Sequence, residues 1–264
     1  MMNRRAGLFA AGLLIMGGER AQAGGSLRFA LGQSWGPPFL ERAGSRIVGG
    51  LLPDLMTLIA AELGRSPEFL LLPPARVDVA MEDGTVDLHC LLSPAWWPSI
   101  RDPARWSVPL MRLRDVLVHG PGGPKTLQAV ERQTWRVGTV RGYRYPTLDA
   151  AFQRGRLERD DALDQWAVLG KLGRGRTPLG IVNEYVLRAY QQRHPAQGLG
   201  IVQVVDEVEA HCLLGARTHV PALQLHQAIR RVVSSGQLQR VLDPYLAAAA
   251  GSAADSGGGK KQPR

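Results

Sequence analysis

Aromatic residues make up only 6% of this 264-residue chain, cysteines number two, and lysines number four against 28 arginines. Each scarcity excludes something. Cys90 and Cys212 are too few for a disulfide scaffold and do not cluster as a zinc motif. No apolar run of about 18 residues follows the first twenty-odd positions, which excludes a membrane-spanning bundle. What is present is a globular composition: 45% hydrophobic and 21% charged residues exclude a chain disordered throughout.

The formal charge of +9 would suit a nucleic-acid partner. The arginines, however, are scattered along the chain, and no RNP, zinc-finger or helix-turn-helix pattern accompanies them. The charge therefore reads as an arginine-biased surface, and no nucleic-acid partner is expected. Enzyme signatures are missing too: there is no G-x-S-x-G, H-E-x-x-H, P-loop or dinucleotide fingerprint. The six histidines (89, 119, 194, 211, 219 and 226) lack metal-ligand spacing, so neither metal nor cofactor is called for.

The two ends read as non-core segments. Asn3-Arg4-Arg5 gives a positive start, residues 6–16 an apolar stretch too short to cross a bilayer, and Ala21-Gln22-Ala23 an A-x-A cleavage pattern. Residues 1–23 are thus expected to be a cleaved Sec signal peptide, which implies a periplasmic protein. Export to an oxidising compartment would permit a disulfide. Residues 247–264, rich in small residues and without apolar period, are expected to be a disordered tail.

Between them, strand and helix patterns alternate. Leu27, Phe29 and Leu31 alternate as a strand, and Leu51, Leu55, Leu58, Ile59 and Leu63 form one helix face ended by Gly64. Strands follow at 68–72 and 86–92 with a short helix at 77–81 between them. This β-α-β-α-β order predicts a parallel sheet covered by helices. After a strand at 115–119, Pro121-Gly122-Gly123-Pro124 punctuates the chain, and the pattern restarts. Strands are expected at 135–140, 179–182, 201–205 and 211–214, and helices near 145–154, 163–172 and 184–193. Two terminal amphipathic helices, around Ile229 and Leu242, have no sheet of their own and must return to the first block. The expected architecture is α/β with two lobes joined by two crossovers: 26–119 with 207–246 in lobe 1, and 122–204 in lobe 2.

Several short motifs in this order resemble the family 3 extracellular solute-binding proteins, the periplasmic receptors of polar amino-acid ABC importers. They are Pro37-Pro38-Phe39, Gly50-Leu51-Leu52-Pro53-Asp54-Leu55, Gly84-Thr85-Val86-Asp87, and Arg101 through Trp106-Ser107-Val108-Pro109. The resemblance implies a periplasmic-binding-protein type II fold and a ligand site between the lobes, beyond the carboxyl ends of the strands. It places an aromatic clamp at Trp35 and Phe39, with Ser93, Trp96 and Trp97 after the third strand. Arg101 stands where the family holds a ligand carboxylate, a role suited to a planar guanidinium fork, with Arg105 as competitor. Gly142-Tyr143 matches the second-lobe turn into a helix, where backbone N–H groups attract anions. The family often has a hydroxyl residue there, and here it is a phenol. Asn183 occupies the place of the family's ammonium-binding aspartate, although a helix N-cap would explain it equally.

With Arg105, Arg141 and Arg144 nearby, this set predicts an electropositive cleft for a carboxylate-bearing, amino-acid-like solute, without strict need of an α-ammonium. Family topology would also set the strand of Cys212 beside that of Cys90, leaving open a bond or two free thiols. The function implied is that of a monomeric, non-enzymatic receptor that closes on its solute and delivers it to an inner-membrane ABC permease. Two alternatives share the fold: a small secreted dehydratase, for which Glu184 or Glu41 would be the cleft acid, or a soluble ligand-binding partner of a membrane sensor.

Overall fold

A computed structural model describes residues 24–250, with side chains up to Tyr245. The expected signal peptide and residues 251–264 lie outside the described residues. Strand β1 (Gly24–Gly32) leads through a small hairpin, β2 (Glu41–Ala43) and β3 (Arg46–Gly49), into helix α1 (Leu51–Glu62). Then come β4 (Arg65–Leu72), α2 (Pro74–Asp83), β5 (Leu88–Leu92) and β6 (Met111–His119). The pattern restarts with α3 (Leu127–Glu131), β7 (Trp135–Val140), α4 (Asp149–Gln153), β8 (Leu157–Ala162), α5 (Gln165–Gly173), β9 (Leu179–Asn183) and α6 (Glu184–Arg193). Strand β10 (Gly200–Leu214) and helices α7 (Ala222–Ser234) and α8 (Gln237–Ala250) complete the chain.

The main sheet has eight strands in the order β4-β1-β5-β10-β6-β9-β7-β8. It curls into two lobes, each with three parallel strands and an antiparallel one. The chain crosses between lobes twice. Trp106 still bridges to Leu213 in the first lobe, whereas β6 already pairs with β9 in the second. The return crossing is β10 itself, which pairs with β6 over residues 200–210 and with β5 over 211–214.

Burial explains the main elements. Helix α1 hides Leu51, Leu52, Leu55, Met56 and Ile59 against the first lobe. Its start needs a glycine: Gly50 has φ +122°, and a Cβ there would meet the Phe39 carbonyl oxygen at 2.6 Å. Helix α7 packs on α1, burying Leu225, Ala228, Ile229 and Val232, and α8 touches α1, α6 and α7. Buried Asp87 clips the start of β5 to its surroundings. It accepts N–H bonds from Arg28 and His219 and pairs with the Arg28 guanidinium at 3.0 Å. Burial alone would raise its carboxyl pKa, but these bonds outweigh that and hold it below the usual range. Cys90 and Cys212 lie opposite each other in the β5–β10 ladder and form a disulfide.

Five expectations are corrected. Sequence order puts β6 in the first lobe, but its partners β9 and β10 place it in the second. The Pro-Gly turn after it is no boundary, since Gly120 donates to the Pro178 carbonyl just before β9. The two strands expected at 201–205 and 211–214 are one, because the acidic stretch between them stays paired along β6, with Glu207 accepting from Arg114 at 2.9 Å. The helix expected at 145–154 is a 3-10 turn, Pro146–Leu148, followed by the five residues of α4. Residues 247–250, assigned to the tail, continue α8.

Candidate functional site

A cavity of about 320 Å³ lies between the lobes. The first lobe supplies Ser34 and Trp35 after β1, Pro74, Ala75, Val77 and Asp78 at the start of α2, His89 and Leu92 of β5, and the loop Trp96–Ser99. The second lobe supplies Asp115 of β6, the turn Gly142–Arg144, and Gln165 of α5. Both sides touch directly: the Ser34 and Tyr143 hydroxyls lie 2.9 Å apart, and the Trp166 indole N–H donates to the Pro37 carbonyl at 3.1 Å. Gly36 is required beneath that indole, because a Cβ would stand 2.1 Å from the Trp166 ring. The lobes are therefore in contact across the cleft.

An inversion in β5 shapes the first-lobe wall. In a regular strand, alternate residues share a face, so His89 and Leu92 would point opposite ways. Both line the cavity. Leu91 explains it: with φ +61° it is the only non-glycine in the left-handed region among the described residues. Leu88, Cys90 and Leu91 consequently pack in one core cluster, while Leu92 joins a second with Ala30 and Val77. A non-glycine in this region costs about 1–2 kcal/mol, a cost that here orients two lining residues together.

His89 is 4% exposed. Its Nδ1 lies 3.0 Å from the Ala30 carbonyl, which can only accept, so Nδ1 carries the proton and Nε2 is an acceptor. Burial lowers its pKa to about 4, so the ring is neutral near pH 7. Opposite, a hydrogen-bonded chain crosses the second lobe. Ser34 meets Tyr143, Tyr143 meets the Gln165 side chain, and Gln165 Oε1 accepts the Asn183 N–H at 2.6 Å. The Asn183 side chain reaches Asp115. Because Asn183 Oδ1 already accepts the Tyr185 N–H at 3.0 Å, its amide N–H₂ is the end left to donate to the carboxylate. Burial, reinforced by Asp206 on β10 and partly offset by Asn183, pushes Asp115 up to about 7. Burial likewise pushes the Tyr143 phenol up to about 12, keeping it protonated.

Of the residues singled out from sequence, Trp35, Trp96, Gly142 and Tyr143 line the cavity, whereas Phe39, Ser93, Arg101 and Asn183 do not. Phe39 is fully buried behind Trp35, ring centroids 4.6 Å apart, and braces it from the core. Ser93 caps a 3-10 turn by accepting the Ala95 N–H. Arg101 is exposed and outside the lining; Arg105 is consumed by the Leu214 carbonyl and Glu82. Arg144 is the arginine at the cavity, and Arg141 is not. No α-helix begins at Gly142-Tyr143, so the expected anion site at a helix start has no helix behind it. Nor is the lining uniformly positive, since Asp78 and Asp115 stand against Arg144. Sequence reasoning missed Asp115, His89 and Gln165. A lone aspartate before Val116-Leu117-Val118 and a histidine inside Leu88–Leu92 were the available signals: polar residues within strands that are otherwise apolar.

No family model matches the chain, and no curated protein matches it by sequence. Solved structures do share its fold. An ancestral arginine-binding protein bound to arginine superposes with a TM-score of 0.69 at 17% identity, covering 83% of this chain and 97% of that one. An amino acid ABC transporter substrate-binding protein from Streptococcus pneumoniae, bound to L-arginine, gives 0.65 at 17% identity, covering 85% and 95%. The GluR0 ligand-binding core from Nostoc punctiforme with L-glutamate gives 0.63 at 16%, covering 83% and 98%. These likenesses establish the two-lobed fold of amino-acid-binding proteins for this chain.

Proposed function

We propose that this protein is a periplasmic substrate-binding receptor that encloses a small, amino-acid-like solute between its lobes and presents it to an ABC permease. The observation that carries the reading is the cavity itself: it is lined from both lobes, which meet through Ser34–Tyr143 and Trp166–Pro37. A site split between two bodies couples ligand contact to closure, because only the closed state offers both sets of groups. Trp35 and Trp96 exclude water and pack on aliphatic carbons. Arg144 is the guanidinium placed to meet a carboxylate, the role expected from sequence at Arg101. Structural likeness to arginine- and glutamate-bound proteins supports the solute class.

Small-angle scattering and calorimetry with a panel of amino acids test this. Binding of at least one member, with a smaller radius of gyration in the complex, is expected. Turnover of a panel member without retention would favour the dehydratase alternative, and no binding at about 1 mM would reject the reading.

A further inference from the structure

We infer that the cavity selects its solute through a cationic, N–H-rich group held between Asp115 and His89. This rests on the receptor reading above. Three observations on the lining point to it together. His89 is nine-tenths buried or more, its Nδ1–H is spent on Ala30, and Nε2 takes no protein hydrogen bond among the described residues. Because His89 lines the cavity, this neutral acceptor is available to an N–H donor of the solute that takes the place of water. Asp115 is held in place by Asn183, and its carboxylate has no cationic partner among its interactions, with only like charge from Asp206 beside it. A carboxylate so placed gains most from a positive group entering the cavity. The walls add a third preference, since they include the indoles of Trp35, Trp96 and Trp97, a ring type whose face attracts cations.

The opposite choice fits poorly. A second carboxylate on the solute would face Asp115 and Asp78 and leave His89 Nε2 without a donor. The cation itself could be an α-ammonium or a side-chain guanidinium, and the test separates them.

Calorimetry on the purified protein would compare four ligands on one carbon skeleton, in two pairs that differ only in guanidinium against urea. L-arginine carries both cations, L-citrulline only the ammonium, Nα-acetyl-L-arginine only the guanidinium, and Nα-acetyl-L-citrulline neither. The cation-free ligand is expected to bind at least about thirty-fold more weakly than the best of the others, and the better single-cation ligand identifies the group that is read. Asp115→Asn should cut the best ligand's affinity about ten-fold or more while changing that of the cation-free ligand no more than about three-fold. His89→Phe should narrow the same ratio by a smaller factor. Equal binding of the cation-free ligand, or tighter binding of L-glutamate, overturns the inference and leaves the receptor reading intact. Absence of binding by all five at about 1 mM overturns both. The ligand comparison on the unaltered protein decides the matter even if a variant fails to fold.

Discussion

In the first lobe the strands run β4-β1-β5 with β10 antiparallel beside β5; in the second they run β8-β7-β9 with β6 antiparallel beside β9. The plan is the same and the means of holding it differ. The first lobe ties its third strand with the Cys90–Cys212 bond and with the wholly buried Asp87, which gathers Arg28 and His219. The second relies on ties around its charged edge strand β8. Lys171 bridges to Asp160 at 2.8 Å, Arg159 to Asp161 at 2.9 Å, and the Arg159 guanidinium lies over Tyr145 and Phe152. Partly exposed pairs of this kind contribute on the order of 1 kcal/mol or less each, so the first lobe should be the stiffer body. The edges differ as well: β8 is guarded by charge, while β4 carries Phe69 to Leu72 with Pro67 as its interruption.

Four measurements would break or sharpen this contrast. The largest effect should come from Cys212→Ser. It removes a bond spanning 122 residues and should cost about 2–5 kcal/mol in chemical denaturation, with first-lobe amides losing the most hydrogen-exchange protection. Uniform loss across both lobes would contradict the asymmetry. Next in size is a pair of opposed pH effects, one from each lobe. His89 has its folded pKa lowered to about 4 from 6.5, so stability is full above 6.5 and declines as pH falls toward 4, by on the order of 3 kcal/mol in total. Asp115 has its folded pKa raised to about 7 from 3.8, so its contribution is present below 3.8 and is lost as pH rises toward 7. Asp115→Asn should therefore steepen the rise of stability between about pH 4 and 6.5, and His89→Phe should flatten or reverse it. Parallel pH profiles for both variants and the unaltered protein would show that neither group is desolvated as described.

A smaller effect tests the seam between lobes. Ser34→Ala removes the hydroxyl that meets Tyr143 while leaving the Tyr143–Gln165 bond of the second lobe in place, and should weaken solute binding by about 1 kcal/mol with little change in overall stability. A stability loss equal to the binding loss would mean the contact supports a lobe and not their closure. The smallest expected effect is at the rim: Arg193→Ala breaks the exposed pair with Glu41 and should shift stability by less than about 1 kcal/mol in the same titration.

Much of this fold was legible because apolar period reports burial on one face. Helices α1, α6 and α7 and strands β1, β7 and β9 all fall where alternation or a 3.6 repeat placed them. Strand β8 was not legible, since Leu157–Ala162 exposes an acidic edge and has no apolar alternation to detect. Pairing was not legible either: nothing local tells β6 which lobe holds its neighbours. The site divides the same way. Trp35, Trp96 and Tyr143 stood out as aromatic residues in loops, and they line the cavity. Arg101 stood out by position in a motif, yet a position fixes no direction for a long side chain, and it lies outside the lining. His89 and Asp115 were hidden inside strands, where a polar residue can be judged only once its neighbours on other strands are known.

The bond between Cys90 and Cys212 has a further consequence, which concerns the chain as a closed path. Everything from residue 91 to 211 is bounded by it, and that interval contains β6, β7, β8 and β9 and nearly all of β10. The second lobe is thus a covalent ring hung from the first, entered and left at the same cystine. A single protease cut anywhere in it, either crossing included, opens the ring without releasing a fragment. Two cuts are needed to shed any piece, a form of durability independent of how tightly the lobes pack.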